Sequence, residues 1–389
     1  MLWRAEKVWR RPKAAKILIY DRCGSETLLG YLRKDDVEIL DVRGESINIY
    51  VLMKCILSFD LSGASYANKY IAAVQPSVIL TFIDNDARFY ELKHANPKAA
   101  TVFLQNGWRT EGGDVFGYLK ESAPNKDYQV DYMLTFGAAA GKKYREYING
   151  QVIPIGSVKC NLYQLEKNTD RPTLAFISQY TVPPPGGEHG QILKVADRLV
   201  AWKDFYAAER KVIGFLARYC EKKQLALQVC GRSPDSAAEE EYEFFRALIG
   251  DKKWEFIPRD GLRGSYHSID RAALVVGIDS TLVYESLARG KKTAVFSIRS
   301  ELTNDSTAKF GWPGTLPESG PFWTNRADES TFERILDYLV SVSGADWEKT
   351  RAAVVPDLME YDPGNTRFLS LMRKLDVRLN DQYIFHVQR

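Results

Sequence analysis

The feature that most constrains this chain is a series of short, almost continuous apolar runs separated by segments of helical length. The runs are 16–20, 37–41, 76–83, 100–105, 131–136 and 151–155 in the first half, and 173–178, 225–230, 254–257, 272–278 and 293–297 in the second. Strands that are apolar throughout are typical of a parallel sheet covered by helices on both faces. Segments such as 191–223 and 236–249 have helical length and charge content. The alternation predicts a doubly wound α/β architecture.

The rhythm pauses at residues 156–172, where polar and charged residues interrupt the apolar runs. We interpret this stretch as an interdomain linker. It divides the chain into an N-terminal Rossmann-like domain, 1–160, and a C-terminal one, 161–365. A tail, 366–389, contains helix-forming residues and is expected to pack back toward the N-terminal domain. A chain of 389 residues is long enough for two or three domains.

The charge balance and the cysteines exclude several classes of protein. Lys and Arg total 53 against 50 Asp and Glu, a formal charge of +3, which argues against a nucleic-acid-binding protein. No apolar run approaches the roughly 18 residues of a membrane helix, and the basic N-terminus is not followed by an apolar signal core. The five cysteines are scattered without a CxxC pattern. We therefore expect a cytoplasmic protein with reduced thiols and no structural zinc.

Residues 272–290 carry the most informative pattern. An apolar strand is followed by a turn of Asp279, Ser280 and Thr281, and then by a helix that contains Glu285. Asp279 or Ser280 can cap this helix, whose free N–H groups would form an anion site at the carboxyl edge of the sheet. The hydroxyls could bind phosphate oxygens, and Glu285 could accept hydrogen bonds from a ribose. The alternative is that Ser280 only caps the helix and that Glu285 is a solvated surface residue.

Several segments together carry a resemblance to known families: 272–290, 293–299, 310–313, 83–86, 104–107 and 176–179. In these segments the chain resembles bacterial surface-carbohydrate biosynthesis proteins, over most of residues 16–345. The second half is similar, more distantly, to the retaining β-Kdo transferases of capsule and O-antigen synthesis. Those are GT-B enzymes that use CMP-Kdo and hold the nucleotide in the C-terminal domain. The resemblance implies two Rossmann-like domains with parallel sheets facing a central cleft.

The same resemblance assigns roles after the linker. In those transferases the strand after the linker carries a Gln, which Gln179 matches, and a carboxylate nucleophile follows several residues later. No Asp follows here at a comparable offset, and Glu188, in a Pro/Gly-rich loop, is the nearby carboxylate. Glu188 is therefore a candidate nucleophile or base, with a solvated loop residue as the alternative. His189 is an acceptor-side candidate that could bind a phosphate or a substrate carboxylate.

Two arginines could bind an anionic donor. Ulosonic acids such as Kdo carry a carboxylate at the anomeric carbon, so a cation is needed near the site. Arg232 and Arg299 each follow a strand of the second half, and the planar guanidinium suits phosphate or carboxylate. Gly231 would let the backbone approach a ligand closely. A structural salt bridge is the alternative for either arginine.

In the first half, the sequence Asp84-Asn85-Asp86 ends a predicted strand just before a helix. It matches the D-x-D metal motif of another glycosyltransferase fold, but Asp84 could instead cap the helix. Either Asp84 or Asp86 could act as a base toward the acceptor. Further acceptor-side candidates follow the first two strands: Ser25, Glu26, Arg43 and Glu45. The Gly-Ser-Glu turn lacks GxGxxG, so we predict no dinucleotide site.

These features predict a glycosyltransferase of capsule or lipopolysaccharide O-antigen synthesis. It would transfer Kdo or a related ulosonic acid from a CMP-activated donor to a glycan or lipid-linked glycan, with retention and with no metal or other cofactor. Residues 2–13 mix tryptophans and cations and could contact the inner face of the cytoplasmic membrane, with a docked or frayed arm as the alternative. The alternatives are a UDP-sugar 2-epimerase, a CDP-polyol phosphotransferase and a non-catalytic glycan-binding scaffold.

Overall fold

The computed structural model describes residues 5–166, 172–195 and 198–383. It divides into an N-terminal unit, Met1–Gly107, Tyr118–Leu162 and Asp362–Arg389, and a C-terminal unit, Trp108–Gly117 and Tyr163–Tyr361. Residues 167–171 of the predicted linker and residues 2–4 of the predicted membrane segment lie outside the described residues.

The strands are β1 (Glu6–Val8), β2 (Ile17–Tyr20), β3 (Val37–Leu40), β4 (Ser46–Asn48), β5 (Val78–Thr81), β6 (Ala100–Leu104), β7 (Tyr128–Thr135), β8 (Ile148–Pro154), β9 (Thr173–Ile177), β10 (Gln191–Val195), β11 (Arg198–Ala201), β12 (Ala226–Cys230), β13 (Trp254–Ile257), β14 (Leu274–Gly277), β15 (Thr293–Phe296) and β16 (Trp323–Thr324).

The helices are α1 (Ser25–Leu29), α2 (Ile49–Leu57), α3 (Gly63–Val74), α4 (Leu92–Ala95), α5 (Val115–Ser122), α6 (Ala138–Arg145), α7 (Val158–Leu162), α8 (Trp202–Phe205), α9 (Ala207–Lys223), α10 (Asp235–Ile249), α11 (Gly261–Arg271), α12 (Thr281–Ala288), α13 (Arg299–Thr303), α14 (Glu329–Ser341), α15 (Gly344–Ala352), α16 (Val355–Leu358) and α17 (Thr366–Lys374). Short 3₁₀ turns occur at Lys34–Asp36, Ala87–Glu91, Ala123–Asn125, Gly187–His189 and Ser306–Ala308. Among the described residues, no helix has both the length and the apolar character needed to cross a bilayer.

The N-terminal unit is built on a six-stranded sheet of order β3-β2-β5-β6-β7-β8, in which the strands run parallel. Every residue of β2 and β5 is buried, which explains their continuous apolar sequences. The tail helix α17 belongs to this unit, where Phe368 lies edge-on to Tyr31 at 5.8 Å between ring centroids.

The C-terminal unit contains a second six-stranded parallel sheet, of order β13-β12-β9-β14-β15-β16. The chain leaves the central strand β9 toward one side of the sheet and later returns to its other side at β14. The carboxyl ends of β9 and β14 therefore form a topological switch point, where ligands bind in open α/β sheets. The prediction of an α/β fold with parallel sheets is confirmed in both units.

One part of the secondary-structure prediction is wrong. Residues 191–195 and 198–201, which we expected at the start of a helix, form the antiparallel pair β10 and β11. In β11 the side chain of Val200 is buried whereas Arg198 and Leu199 are exposed, so this short stretch packs as a strand. The long helix α9 begins only at Ala207.

Candidate functional site

The switch point of the C-terminal unit brings together two predicted site segments. Strands β9 and β14 pair directly, with Val276 opposite Phe176, so the loops that follow them are neighbours. The Gln179 Oε1 atom accepts a hydrogen bond from the backbone N–H of Asp279 at 3.5 Å. Gln179, in the loop after β9, thus lies beside the turn of Asp279, Ser280 and Thr281 at the carboxyl edge of the C-terminal sheet.

Helix α12 starts at this edge as the sequence predicted. Ser280 is its N-cap, and the Ser280 Oγ accepts from the N–H of Leu282 at 3.4 Å. The strand before it ends in Gly277, where an added Cβ would lie 2.2 Å from Val283 Cγ2 of the helix. Glycine therefore lets the helix pack against the strand end. The binding of an anion by the free N–H groups of this helix remains a prediction.

Glu285 lies four residues after Thr281, the last residue of the turn, and its side chain is buried. The alternative of a solvated surface residue is therefore wrong. A role as an acceptor for ribose hydroxyls stays a prediction.

A loop from the first half of the sequence also belongs to this site. Residues 108–117 are part of the C-terminal unit. The Trp108 ring stacks on Tyr284 with 3.6 Å between centroids, and the backbone N–H of Trp108 donates to Thr281 Oγ1 at 2.9 Å. The Thr281 hydroxyl keeps its own hydrogen to donate. Sequence reasoning missed Trp108 because 173 residues separate it from Thr281.

Arg299, expected to bind the donor, is instead buried among protein groups. Its guanidinium pairs with Glu209 and Asp279, donates to Gln179 Oε1 at 3.3 Å and lies 3.9 Å from the centre of the Phe205 ring. Burial would lower the pKa of Arg299, but the two carboxylates more than offset this and raise it. The structural salt bridge, which was the alternative, is what the fold contains, because the buried Glu209 carboxylate and the partly buried Asp279 carboxylate need a cation.

Glu209 completes this buried cluster and was not predicted. It is the third residue of α9 and is fully buried. Burial raises the pKa of its carboxyl, and the charge of Arg299 opposes that shift. The cluster holds the Asp279 turn in place beneath the start of α12.

Arg232 remains exposed at the same edge. Its Nη1 donates to the backbone oxygen of Gln179 at 2.9 Å, which leaves the other N–H groups of its fork for a ligand. The glycine before it has a packing reason, because a Cβ on Gly231 would lie 2.8 Å from Phe256 Cζ. The close approach of a ligand to Gly231 is not needed to explain this glycine.

A buried carboxylate that the sequence did not single out holds the Arg232 loop. Glu241 of α10 accepts from the N–H groups of Arg232 at 3.0 Å and Ser233 at 2.7 Å, and from the Ser178 hydroxyl. It therefore ties the end of β12 to the end of β9. Glu241 stands in a row of glutamates, and only its place on the buried side of the helix distinguishes it.

Glu188 and His189 lie in the exposed 3₁₀ turn Gly187–His189. The Glu188 Oε1 atom pairs with Arg210 Nη2 at 2.7 Å, and both side chains are substantially exposed. The loop therefore has a surface ion pair at the position where a nucleophile was predicted. The catalytic role of Glu188 and the ligand role of His189 remain predictions.

The D-x-D residues of the N-terminal unit have different structural roles. Asp84 is fully buried, and its carboxylate accepts from the Tyr144 hydroxyl at 2.5 Å and from the Asn106 N–H at 3.2 Å. Asp86, rather than Asp84, caps the following turn, and it pairs with Arg88 at 2.6 Å. Among the described residues, no group of three or more His, Cys, Asp and Glu is arranged to hold a metal ion.

The acceptor-side candidates of the first half surround the carboxyl ends of β2 and β3. Arg43 pairs with the buried Asp21 at 2.6 Å, and its N–H donates to Glu45. Ser25 is buried in α1, whereas Glu26 is exposed.

A cavity of about 710 Å³ lies beside these strand ends. Its walls include Tyr20, Arg43, Tyr66, Asn68 and Arg88 together with alanine, valine, isoleucine and leucine side chains. Of the four candidates from the first two loops, Arg43 lines this cavity. The cavity combines apolar walls with charged groups of both signs, since Asp41 and Glu91 line it together with Arg43 and Arg88.

Comparison with known families gives the site its biological context. Residues 102–376 match the model of a family described as "putative O-antigen biosynthesis protein". The chain belongs to this family. No curated protein matches the chain.

Solved structures identify the fold of this O-antigen biosynthesis family member. A glycosyltransferase from Rickettsia africae ESF-5 has 12% identity and a TM-score of 0.50 over 93% of this chain and 98% of its own. The UDP-GlcNAc 2-epimerase of Methanocaldococcus jannaschii, in complex with UDP-GlcNAc and UDP, has 11% identity and a TM-score of 0.52 over 95% and 99%. The predicted GT-B fold is thereby confirmed. The family match gives the chain a role in O-antigen biosynthesis, and the solved structures show that it shares its fold with glycosyltransferases and epimerases.

Proposed function

We propose that this protein is a glycosyltransferase that uses a pyrimidine-nucleotide sugar in capsule or O-antigen synthesis. The observation that carries the proposal is the start of α12 at the switch point of the C-terminal sheet, with Ser280 as the cap and Glu285 buried behind it. Helix N-termini at this position are suited to phosphate. Membership of the O-antigen family supports the biological context.

The proposed donor is a CMP-linked ulosonic acid such as Kdo. The amide N–H groups at the start of α12 and the Thr281 hydroxyl would hold the phosphate, and Glu285 would accept from the ribose. Arg232, exposed beside Gln179, would bind the phosphate or the sugar carboxylate. Developing charge on the leaving CMP would be stabilised by these donors, so the proposal needs no metal.

Transfer with retention would proceed in two displacements, with Glu188 as the first nucleophile to test. Its carboxylate oxygen would form a bond to the anomeric carbon while the bond to the CMP oxygen breaks, and CMP would leave with the electron pair. The acceptor hydroxyl would then attack the same carbon, lose its proton to a base and release the carboxylate. Arg210, which pairs with Glu188, would have to release it for this step.

The proposed acceptor is a glycan or a lipid-linked glycan. The cavity beside β2 and β3 supports this proposal, since its apolar walls and its arginines, Arg43 and Arg88, each paired with an aspartate, suit the largely neutral sugar of such an acceptor. Such an acceptor would place the reaction in the cytoplasm, at the inner face of the membrane.

The first experiment measures binding of CMP, CDP and UDP by thermal shift and calorimetry, and then CMP release from CMP-Kdo with an acceptor. We expect Arg232→Met and Thr281→Val to weaken nucleotide binding at least tenfold. Ser343→Ala is the matched control for Ser280→Ala, because Ser343 is also a serine N-cap: its Oγ accepts a hydrogen bond from the Asp346 N–H in the first turn of α15, at 3.1 Å. Both changes remove a cap, but only Ser280→Ala should weaken binding. Absence of binding by every cytidine and uridine nucleotide would contradict the proposal.

A second candidate is an enzyme that acts on a UDP-sugar, including a UDP-sugar 2-epimerase. Two observations favour it: the fold is shared with an epimerase solved with UDP-GlcNAc, and Arg299 is committed to Glu209 and Asp279. A UDP-hexosamine lacks the donor carboxylate that would require a second cation. Stronger stabilisation by UDP than by CMP, with sugar interconversion in the absence of acceptor, would favour this candidate.

A further inference from the structure

Helix α2 and the turn after it expose an unusual set of large apolar side chains. We call Met53, Ile56, Leu57, Phe59 and Leu61 the α2 face. Their exposed fractions are 50%, 46%, 75%, 97% and 68%. Contiguous exposed apolar surface of this kind marks an interaction site in soluble proteins.

The local geometry points these side chains away from the unit. On α2, Val51 and Cys55 are buried, whereas Met53, Ile56 and Leu57 are spaced by three and four residues and share the exposed side. Phe59 follows the helix with a φ of 54°, a left-handed conformation that costs a non-glycine residue about 1–2 kcal/mol. The Phe59 N–H donates to the Ile56 oxygen at 3.0 Å, and the Asp60 N–H to the Cys55 oxygen at 3.1 Å. The turn thus holds an aromatic ring almost fully in solvent.

Cations border the α2 face. Strand β1 pairs with β4, directly before α2, and the Nδ2 of Asn48, which caps α2, donates to the Arg10 oxygen at 2.9 Å. The exposed Trp9, Arg10 and Arg11 therefore lie near the start of the helix. On the helix itself, the Lys54 Nζ lies 4.8 Å from the centre of the Tyr50 ring.

The charge in this region has one predominant sign. The stretches 7–13 and 47–61 carry Lys7, Arg10, Arg11, Lys13 and Lys54 and a single carboxylate, Asp60. Glu6 and Glu45 lie at the other end of the β1–β4 pair, where the Glu6 N–H donates to the Glu45 oxygen. Tryptophan and basic side chains around an apolar helix face fit the boundary of an anionic bilayer.

We propose that the α2 face inserts into the headgroup region of an anionic bilayer, with Arg10, Arg11 and Lys54 contacting lipid phosphates. Burying Leu57 and Phe59 among the acyl chains supplies the hydrophobic part of the binding, and the cations supply the attraction to anionic lipid. The inference rests on the proposed function, because an enzyme with a lipid-linked acceptor has to work at a membrane. The docking surface itself involves no donor residue.

Co-sedimentation with phosphatidylcholine vesicles, with and without phosphatidylglycerol, tests the proposal without nucleotide or acceptor. We expect binding to the anionic vesicles, at least tenfold weaker for the Leu57→Glu/Phe59→Glu double variant. Each of Arg10→Ala and Arg11→Ala should weaken it about fivefold, because a cation near the surface contributes about 1 kcal/mol. Val340→Glu is the matched control, since Val340 is 51% exposed on α14 of the other unit, and it should bind like the wild type.

Three results would overturn the proposal. The first is equal sedimentation of the wild type with both vesicle types, and the second is an equal loss of vesicle binding in the Val340→Glu control. The third is a change of oligomeric mass in the double variant with no vesicle binding by the wild type, which would make the α2 face a contact between copies. Thermal melts confirm folding of each variant. The nucleotide-induced shift in the double variant should equal that of the wild type, so failure of docking is distinguishable from failure of the proposed transfer.

Discussion

The carboxyl edges of the two parallel sheets carry similar residue types but use them differently. At the N-terminal edge, half-exposed arginines pair with carboxylates that are themselves buried, as Arg43 does with Asp21 and Arg22 with Asp41. At the C-terminal edge the arginine itself is buried: Arg299 lies between the fully buried Glu209 and the partly exposed Asp279. There the groups left facing solvent are Arg232 and the start of α12.

The difference shows how one fold supports two kinds of surface. Pairing at the first edge neutralises charge around the apolar-walled cavity, which suits a largely neutral ligand. At the second edge the buried cluster supports the turn at the start of α12, and a helix N-terminus suits an anion. A strand–turn–helix pattern alone does not distinguish the two edges, because the distinction depends on which charges are buried.

The largest effect is expected for the buried cluster. Arg299→Met leaves Glu209 and Asp279 without their cation and should lower the free energy of unfolding by about 3–5 kcal/mol. Urea denaturation measures it. Arg218→Met is the control, because the Arg218–Glu329 pair is exposed and should contribute under about 1 kcal/mol. Equal losses in the two variants would refute the contrast between buried and exposed pairs.

The next effect concerns the packing of α12. Gly277→Ala places a methyl group 2.2 Å from Val283 Cγ2, and we expect a loss of about 1–3 kcal/mol together with weaker nucleotide binding. In α9, a Cβ on Gly214 has Arg218 Nη1 as its nearest neighbour, at 3.8 Å, so Gly214→Ala should be neutral or stabilising. Unchanged nucleotide affinity in Gly277→Ala would show that the position of α12 does not matter for binding.

The next prediction concerns the structural roles of the two aspartates of the D-x-D sequence, at the carboxyl edge of the N-terminal sheet. Asp84→Ala removes an acceptor from the buried Tyr144 hydroxyl and should cost about 1–3 kcal/mol. Asp86→Ala removes a cap and a partly exposed ion pair, so we expect about 1 kcal/mol. Thermal melts separate these structural roles from metal binding. Equal loss of transfer activity in both variants, rescued by a divalent cation, would instead support a metal site.

The smallest effect is expected for Lys291. This residue lies at the amino edge of the C-terminal sheet, which is the edge opposite the proposed ligand site. Burial lowers the pKa of Lys291 to about 8, from 10.5. Between these values the unfolded chain binds more protons than the folded one, so Lys291 makes stability rise with pH in that window. Lys291→Met should flatten the rise by about 1 kcal/mol, measured by urea denaturation across the window. An unchanged slope would place the titration elsewhere.

Much of the fold was predictable because parallel strands buried on both faces must be apolar throughout. The Ser280 cap was predictable for a similar reason, since capping depends on neighbouring residues alone. The pair β10 and β11 was missed because short strands and helix starts have similar local composition. Glu209 and Glu241 were missed because their partners, Arg299 and Ser178, lie 90 and 63 residues away.

By itself, then, the sequence determined the strands of the two parallel sheets and the start of α12, because apolar periodicity and caps act over a few residues. Tertiary structure alone decided that Arg299 supports the turn from inside while Arg232 faces solvent. It also decided that Trp108 packs on Tyr284 and that Phe59 stays exposed. Burial is a property of the packed chain: the desolvation that makes a charge structural, or leaves it available to a ligand, arises only when distant segments come together.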